Sequence, residues 1–249
     1  MGGVLMLTAL RERDGARVAA WEAAREDRPF LCRCCRSQLT LRRGSVIAPH
    51  FAHRPPFACE YGAGESEAHR RCKRALYESL RAHPRVRKCE IERDLGAVRP
   101  DVSAYLGDVP VAFEVQLSAL SPERIARRTA EYARLGVYVL WLPPYDAALA
   151  RDLYAPRPWE RWLHAAYFGR VYYWAEALTV VPVHFRDFYQ QARGRTRDYE
   201  KLSRRKVPLE GPPLSLAADF APRLRPAWAG RDFHIPAARL FADTRPKWY

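Results

Sequence analysis

Two neighbouring segments in the middle of the chain alternate with the period of two that belongs to strands. From Asp101 onward, Asp101, Ser103 and Tyr105 fall on one side of an extended backbone, and Val102, Ala104 and Leu106 on the other. After Gly107-Asp108, Val111, Phe113, Val115 and Leu117 form an apolar face while Glu114 and Gln116 point the opposite way. The pattern predicts a hairpin. On either side the period becomes helical. Residues 65–82 lack Pro and Gly and carry an apolar stripe of Ala68, Cys72, Ala75, Leu76, Ser79 and Leu80, with Glu65, His69 and Lys73 as the adjoining row. A second helix, about 121–135, opens on Ser121 as N-cap with Pro122 and Glu123 behind it and stops at Gly136. Strands are expected at about 87–93, 99–106, 110–118 and 136–142. The order over 65–142 is αβββαβ, a mixed sheet flanked by helices.

The flanks read differently. Apolar runs at 4–10 and 17–21 are joined by Arg13-Asp14-Gly15, a hairpin turn of the Asp-Gly kind. A cysteine- and histidine-bearing stretch follows at 29–59. Beyond Pro143-Pro144, a helix over 158–168 presents Trp159, Trp162 and Leu163, and strands fit 171–174 and 179–184. Residues 193–206 are strongly basic, and 207–249 are rich in Pro and Arg. The expected division is an N-terminal β/zinc module (1–62), an α/β core (63–145), an α+β extension with the basic segment (146–206) and a Pro/Arg-rich tail (207–249). A truncation after Val183 is expected to weaken DNA binding more than it weakens folding of the core.

Composition narrows the classes. With 249 residues, 48% of them hydrophobic, and seven Trp, the chain should fold rather than stay disordered. Its net charge of +14 makes polyanions, and nucleic acid first, the expected partners. No apolar run reaches the roughly 18 residues of a membrane span. The start Val4-Leu5-Met6-Leu7 lacks a basic n-region or a small-residue cleavage site, so the chain reads as cytoplasmic.

Cysteines in that compartment point to metal rather than to disulfides. Cys32 and Cys35 have the two-residue gap of a zinc knuckle, with Cys34 turned elsewhere, and the second half is assigned to His53 and Cys59, His50 competing with His53. Elsewhere, two carboxylates and an amide on one face of an apolar hairpin need a compensating charge, and a divalent cation is the simplest one. Arg124, Arg128 and Tyr132 stand four apart on the second helix and form a row able to grip phosphate.

The ordered set RPDV at 99–102, FEVQLS at 113–118, ESEAHRRCK at 65–73, the CxxC with HFAH at 50–53, and YFGRVYYW at 167–174 resembles the competence protein CoiA-like family, over about residues 1–185. Members of that family resemble PD-(D/E)xK nucleases. The resemblance implies a restriction-endonuclease-like core in which Asp101, Glu114 and the carbonyl of Val115 hold Mg²⁺ or Mn²⁺, with Glu65 adding an acidic group or holding a metal-bound water. Where that nuclease superfamily usually has Lys two residues after the Glu, this chain has Gln116, as the family does. Lys73 from the helix is one substitute for the missing cation, and His69 is an alternative acid or base. The expected function is a metal-dependent DNA nuclease or DNA-processing factor in DNA uptake or homologous recombination, acting on branched or single-stranded DNA by analogy, with recombination proteins as further partners. The competing class is a catalytically silent DNA-binding accessory, which Gln116 favours. A zinc-bearing transcription regulator is weaker because no helix-turn-helix pattern is present.

Overall fold

A computed structural model describes residues 5–44, 47–54, 59, 66–194, 197–230 and 233–245. The chain forms two compact units, Met1–Arg74 and Ala75–Tyr249.

In the first unit, β1 (Leu5–Met6), β2 (Thr8–Arg11), β3 (Arg17–Ala19), β4 (Phe30–Leu31), β5 (Gln38–Arg42) and β6 (His50–His53) form one antiparallel sheet in the order β1-β6-β5-β4-β2-β3. The expected hairpin joins β2 and β3, and Gly15 supplies its left-handed residue at φ +67°. Met6, Phe30, Leu39, Leu41 and Phe51 are its core, with the Phe30 and Phe51 rings 4.9 Å apart.

Helix α1 (Glu67–Ala82) is rotated from the expected stripe. Its buried positions are Arg70, Lys73, Leu76, Tyr77 and Leu80, whereas Ala68 is exposed. Two basic side chains thus lie on the covered face, and Arg70 is held there by Glu67 at 2.7 Å. A hydropathy stripe cannot register that arrangement, because it counts Arg and Lys as outward-facing.

In the second unit, β7 (Val86–Ile91), β8 (Val102–Leu106), β9 (Val109–Val115), α2 (Pro122–Arg134) and β10 (Tyr138–Leu142) follow α1 in the expected αβββαβ order. Gly107-Asp108 closes the β8–β9 hairpin, with Gly107 at φ +63°. Ser121 caps α2 by accepting from Arg124 N at 3.3 Å, and Ile125, Thr129 and Tyr132 are its buried row. Helix α2 carries the chain from β9 to β10, which pair in parallel from Val111↔Tyr138 to Val115↔Leu142.

Helix α3 (Pro158–Ala166) buries Trp159, Trp162 and Leu163. Then come β11 (Val171–Glu176), β12 (Thr179–Ala192), β13 (Tyr199–Glu210) and β14 (Leu214–Ser215), which form a sheet of their own in the order β11-β12-β13 with β14 beside β12. The basic segment is therefore a strand from Tyr199 onward.

The last segment corrects the sequence reading. After β15 (Phe220–Arg225) and the small hairpin of β16 (Trp228–Ala229) and β17 (His234–Ile235), β18 (Ala238–Asp243) inserts beside β10, and the main sheet runs β15-β18-β10-β9-β8-β7. The stretch read as a Pro/Arg-rich tail supplies two strands of the core. Leu240, Phe241 and Ala242 are buried, Phe241 meets Phe113 edge-on at 6.4 Å, and Asp243 pairs with buried Arg170. Pro222 fits because β15 lies at the sheet edge, where a missing N–H costs no ladder bond. A chain ending at Val183 would lack β15 and β18, so the core is not indifferent to that truncation.

His164 gives this unit a pH dependence. Its Nε2 accepts from Phe185 N at 3.1 Å and stands 3.1 Å from His184 Nδ1, which lies 2.8 Å from the Gly169 carbonyl oxygen. Burial, reinforced by His184, lowers His164 to about 4. A depressed folded-state value means that the neutral ring stabilises the fold above the ordinary pKa of about 6.5 and that this contribution is lost as pH falls toward 4. Melting curves from pH 7 to pH 4 should show a steeper loss of stability in the parent than in His164→Gln; equal slopes would remove His164 as the cause.

Candidate functional site

The second unit brings an acidic pair together at the end of the β8–β9 hairpin. Val102 pairs with Phe113, so the next position outward sets Asp101 opposite Glu114 on one face. Asp101 Oδ2 accepts the N–H of Val115 at 2.8 Å, which fixes its carboxylate across the strand end. Glu114 is 4% exposed, and its Oε1 accepts from Arg128 Nη2 and from the Tyr132 hydroxyl, both at close range. Helix α2 delivers these two donors because positions four apart share a face.

Arg128 Nη2 also reaches the Arg99 carbonyl oxygen at 3.1 Å, and its guanidinium carbon lies 5.9 Å from the Trp141 ring centre. Trp141 is held in turn by Nε1–H donation to Thr129 Oγ1 at 3.1 Å. Thr129, Trp141 and the Arg99 carbonyl were absent from the sequence reading, and nothing in spacing alone distinguishes them from ordinary core positions.

Burial pushes the Glu114 carboxyl above the usual carboxylate range, and the charge of Asp101 adds to that; Arg128 and the Tyr132 hydroxyl pull the other way. Burial also raises the Tyr132 phenol, with Glu114 contributing, so it remains a proton donor at neutral pH. For Arg128, burial opposes the charge but Glu114 outweighs it, and the guanidinium stays protonated. An isolated buried carboxylate would be costly, and removing one partner of such a pair typically costs about 3–5 kcal/mol.

The remaining expected residues fall as follows. Gln116 is buried just past β9, with its N–H on Leu142 O at 3.0 Å and its side-chain amide turned onto Ser118. Val115 ends β9. Arg124 is exposed one turn before Arg128. His69 and Lys73 stand on the part of α1 that belongs to the first unit, Lys73 buried, and Glu65 lies outside the described residues.

The first unit holds a separate cluster. Cys32, Cys35, His53 and Cys59 place one ligand atom each within 4.8 Å of all the others. Cys32 follows β4, and His53 closes β6, while the CxxC turn folds back so that Cys34 N approaches Cys32 Sγ at 3.4 Å. His50 is buried elsewhere, its Nδ1 2.9 Å from Ala48 O, so His53 rather than His50 joins the cluster.

The distances fit a tetrahedral ion. With Zn–S of about 2.3 Å, two sulfurs on a tetrahedron lie about 3.8 Å apart, and a sulfur and an imidazole nitrogen about 3.5 Å. Cys32 and Cys59 sulfurs are 3.7 Å apart, and Cys35 Sγ is 3.2 Å from His53 Nε2. Burial works against the Cys35 thiolate, but hydrogen bonds from Ser37, His53 and Cys32 hold its thiol down at about 6, in the thiolate form that binds metal. Three thiolates and an imidazole in this geometry are a donor set for structural zinc.

Two family profiles match the chain. The competence protein CoiA N-terminal domain covers residues 14–62, which contain the Cys/His cluster, and the competence protein CoiA nuclease-like domain covers residues 65–149, which contain the acidic pair. Competence protein CoiA of Bacillus subtilis (strain 168) is 30% identical over 125 residues, 48% of this chain and 32% of that protein. The match thus spans about a third of the relative's length. No solved structure matches the chain. The protein carries a nuclease-like domain behind a Cys/His module. It belongs to the CoiA-like family. No helix among the described residues is long and apolar enough to cross a membrane.

Protein purified without added metal should contain about one zinc per chain. Cys32→Ser with Cys35→Ser should lose that zinc and lower the melting temperature of the protein, as chelation of the parent does. A metal-free parent whose stability the double variant leaves unchanged would rule out the centre.

Proposed function

We propose that this protein is a divalent-metal-dependent nuclease with a PD-(D/E)xK-type core, cutting phosphodiester bonds in DNA. The observation that carries the reading is the register that sets Asp101 against the buried Glu114 within a domain of the CoiA nuclease-like family. Asp101, Glu114 and the Val115 carbonyl would hold Mg²⁺ or Mn²⁺, which supplies polarisation of the scissile phosphate and a lowered pKa of the attacking water.

The chain's own residues do the rest. The Val115 N–H orients the Asp101 carboxylate, and Arg128 and Tyr132 hold Glu114 in one rotamer with its charge balanced. The Arg128 side chain keeps 27% of its surface exposed, so the same guanidinium is open to a phosphate oxygen. Arg124, exposed one turn earlier, extends that row, whereas Tyr132, expected in it, is fully buried against Glu114 and does not face DNA. Gln116 cannot carry the positive charge that a Lys would bring, so within the second unit the cation beside the acidic pair is Arg128. Branched and single-stranded DNA formed during uptake or recombination are the substrates we favour, with recombination proteins as partners. We keep residues 1–62 as the zinc module and 63–145 as the catalytic part.

One observation supports a second reading. The Arg128 guanidinium already compensates Glu114 without a metal, the arrangement expected of a site kept for DNA binding after catalysis has been lost. Cleavage decides between them. Purified protein with Mg²⁺ or Mn²⁺ should cut at least one of linear duplex, single-stranded and branched DNA, and Asp101→Asn should slow cutting at least about a hundredfold while leaving DNA affinity within about twofold. Asn keeps the acceptor for Val115 N–H and removes only the charge. If Asp101→Asn cuts as fast as the parent, or if the parent cuts nothing, the silent accessory replaces the nuclease.

A further inference from the structure

Strands β12 and β13 continue as a two-stranded ribbon well past the rest of their sheet. The pairing of β11 with β12 ends at Val183, β14 meets β12 only at Thr179 and Val180, and a bridge between Tyr154 and Lys206 is the last lateral contact of β13. From Asp187 to Ala192 and from Tyr199 to Leu202, the two strands pair only with each other among the described residues. Six residues at about 3.3 Å each make an arm about 20 Å long.

An isolated hairpin of this kind is marginal in water, and it buries little of itself. Tyr189, Tyr199 and Leu202 are 54%, 51% and 48% exposed. The register shifts between Asp187 and Tyr189, so that Ser203, Arg204 and Arg205 together oppose Phe188 in a bulge, Ser203 buried and the two arginines exposed. Arg186, Lys201, Arg204 and Arg205 are exposed or nearly so and make no ion pair among the described residues, whereas Asp187 is taken by Lys206 at 2.6 Å and Glu200 by Gln191 at 3.3 Å. The acidic side chains of the arm are therefore engaged and the basic ones stand open.

Alternation fixes which partner suits it. Tyr189 pairs with Leu202 and Tyr199 with Ala192; since residues three apart on a strand face opposite ways, the two tyrosines lie on opposite faces. A platform for single-stranded bases needs its aromatics in a row on one face. This ribbon instead presents contacts on both faces and cations at its bulge, and the major groove of a duplex, about 12 Å wide, encloses a two-stranded ribbon on both sides. Its charge opposes pairing with a second copy of the same arm.

We propose that the β12–β13 ribbon is an arm that enters the major groove of duplex DNA, with Arg204 and Arg205 on the phosphate backbone and Tyr189, Tyr199 and Leu202 against the groove walls. The proposal rests on the nucleic-acid reading above and places the grip on the duplex away from the acidic pair.

Binding of the full-length parent, Arg204→Glu/Arg205→Glu and Asp101→Asn to a fluorescent duplex and to a single strand of the same length, across a salt series, tests it. The charge-reversed pair should bind duplex at least about tenfold more weakly, and its log–log salt slope should fall by about 1.8, at about 0.9 per lost phosphate contact. Its zinc content and melting temperature should match the parent's. Arg204→Lys/Arg205→Lys should keep most of the slope, and Arg186→Gln/Lys201→Gln serves if the reversed pair does not fold. Parental duplex affinity in these variants overturns the arm while leaving the nuclease reading intact, and so does a loss confined to single strands. A parent that binds no DNA overturns both.

Discussion

The carboxylate of Glu114 lies 4% exposed inside the second unit, and much of the surrounding arrangement follows from keeping it charged there. Burial and the neighbouring Asp101 both work against ionisation, so α2 must present a guanidinium and a phenol at the positions of Arg128 and Tyr132. Those positions are four apart on one helix, which requires α2 to be helical through both of them and its buried row to include Thr129 and Tyr132. Trp141 on β10 then lies beneath Arg128 and is pinned by Thr129. The β9–α2–β10 unit is thereby locked by a single charge.

The rest of the sheet supports that lock from outside. Strand β10 is covered on one side by β9 and on the other by β18, which comes from the far end of the chain. Tyr167 ties α3's end to the same strand, donating to Val139 O at 2.9 Å and accepting from Trp141 N at 3.2 Å. The C-terminal strands are thus part of what holds the acidic pair, although the family's nuclease-like profile ends at residue 149. In the first unit a different device does the equivalent work: the sheet of short strands is small, and four ligand atoms within 4.8 Å of one another tie the turn after β4 to the end of β6. A module with so little core gains more from a metal than a larger domain does.

Much of this was legible in the residues. The alternation of 101–106 and 110–117 revealed the hairpin, Ser121-Pro122 and Gly136 bounded α2, and the CxxC with His53 and Cys59 defined the cluster. What escaped has physical reasons. Residues 220–225 and 238–243 read as tail because Pro and Arg dominate the average, yet an edge strand tolerates Pro222 and β18 needs only the short run of Leu240, Phe241 and Ala242 to sit in the core. The buried face of α1 was misplaced because Arg70 and Lys73 occupy it, and hydropathy assigns such residues to water. Arg128 and Tyr132 were picked out by spacing, but their contact with Glu114 is a tertiary fact that no local pattern encodes. The basic stretch before Lys206 showed its charge but not its strand, since a ribbon exposed on both faces has no apolar alternation to reveal it.

Acceptance of a divalent cation by the Asp101–Glu114 pair in the presence of Arg128 separates a nuclease from a silent binding protein. Mn²⁺ titrated into zinc-loaded protein and followed by its paramagnetic resonance reads this without any substrate. One Mn²⁺ site per chain beyond the zinc is expected, weakening as pH falls because a buried Glu114 with a raised pKa must lose its proton to bind, and absent from Glu114→Gln. Binding that Glu114→Gln leaves unchanged, or no Mn²⁺ bound to the folded parent at neutral pH, would contradict the nuclease reading.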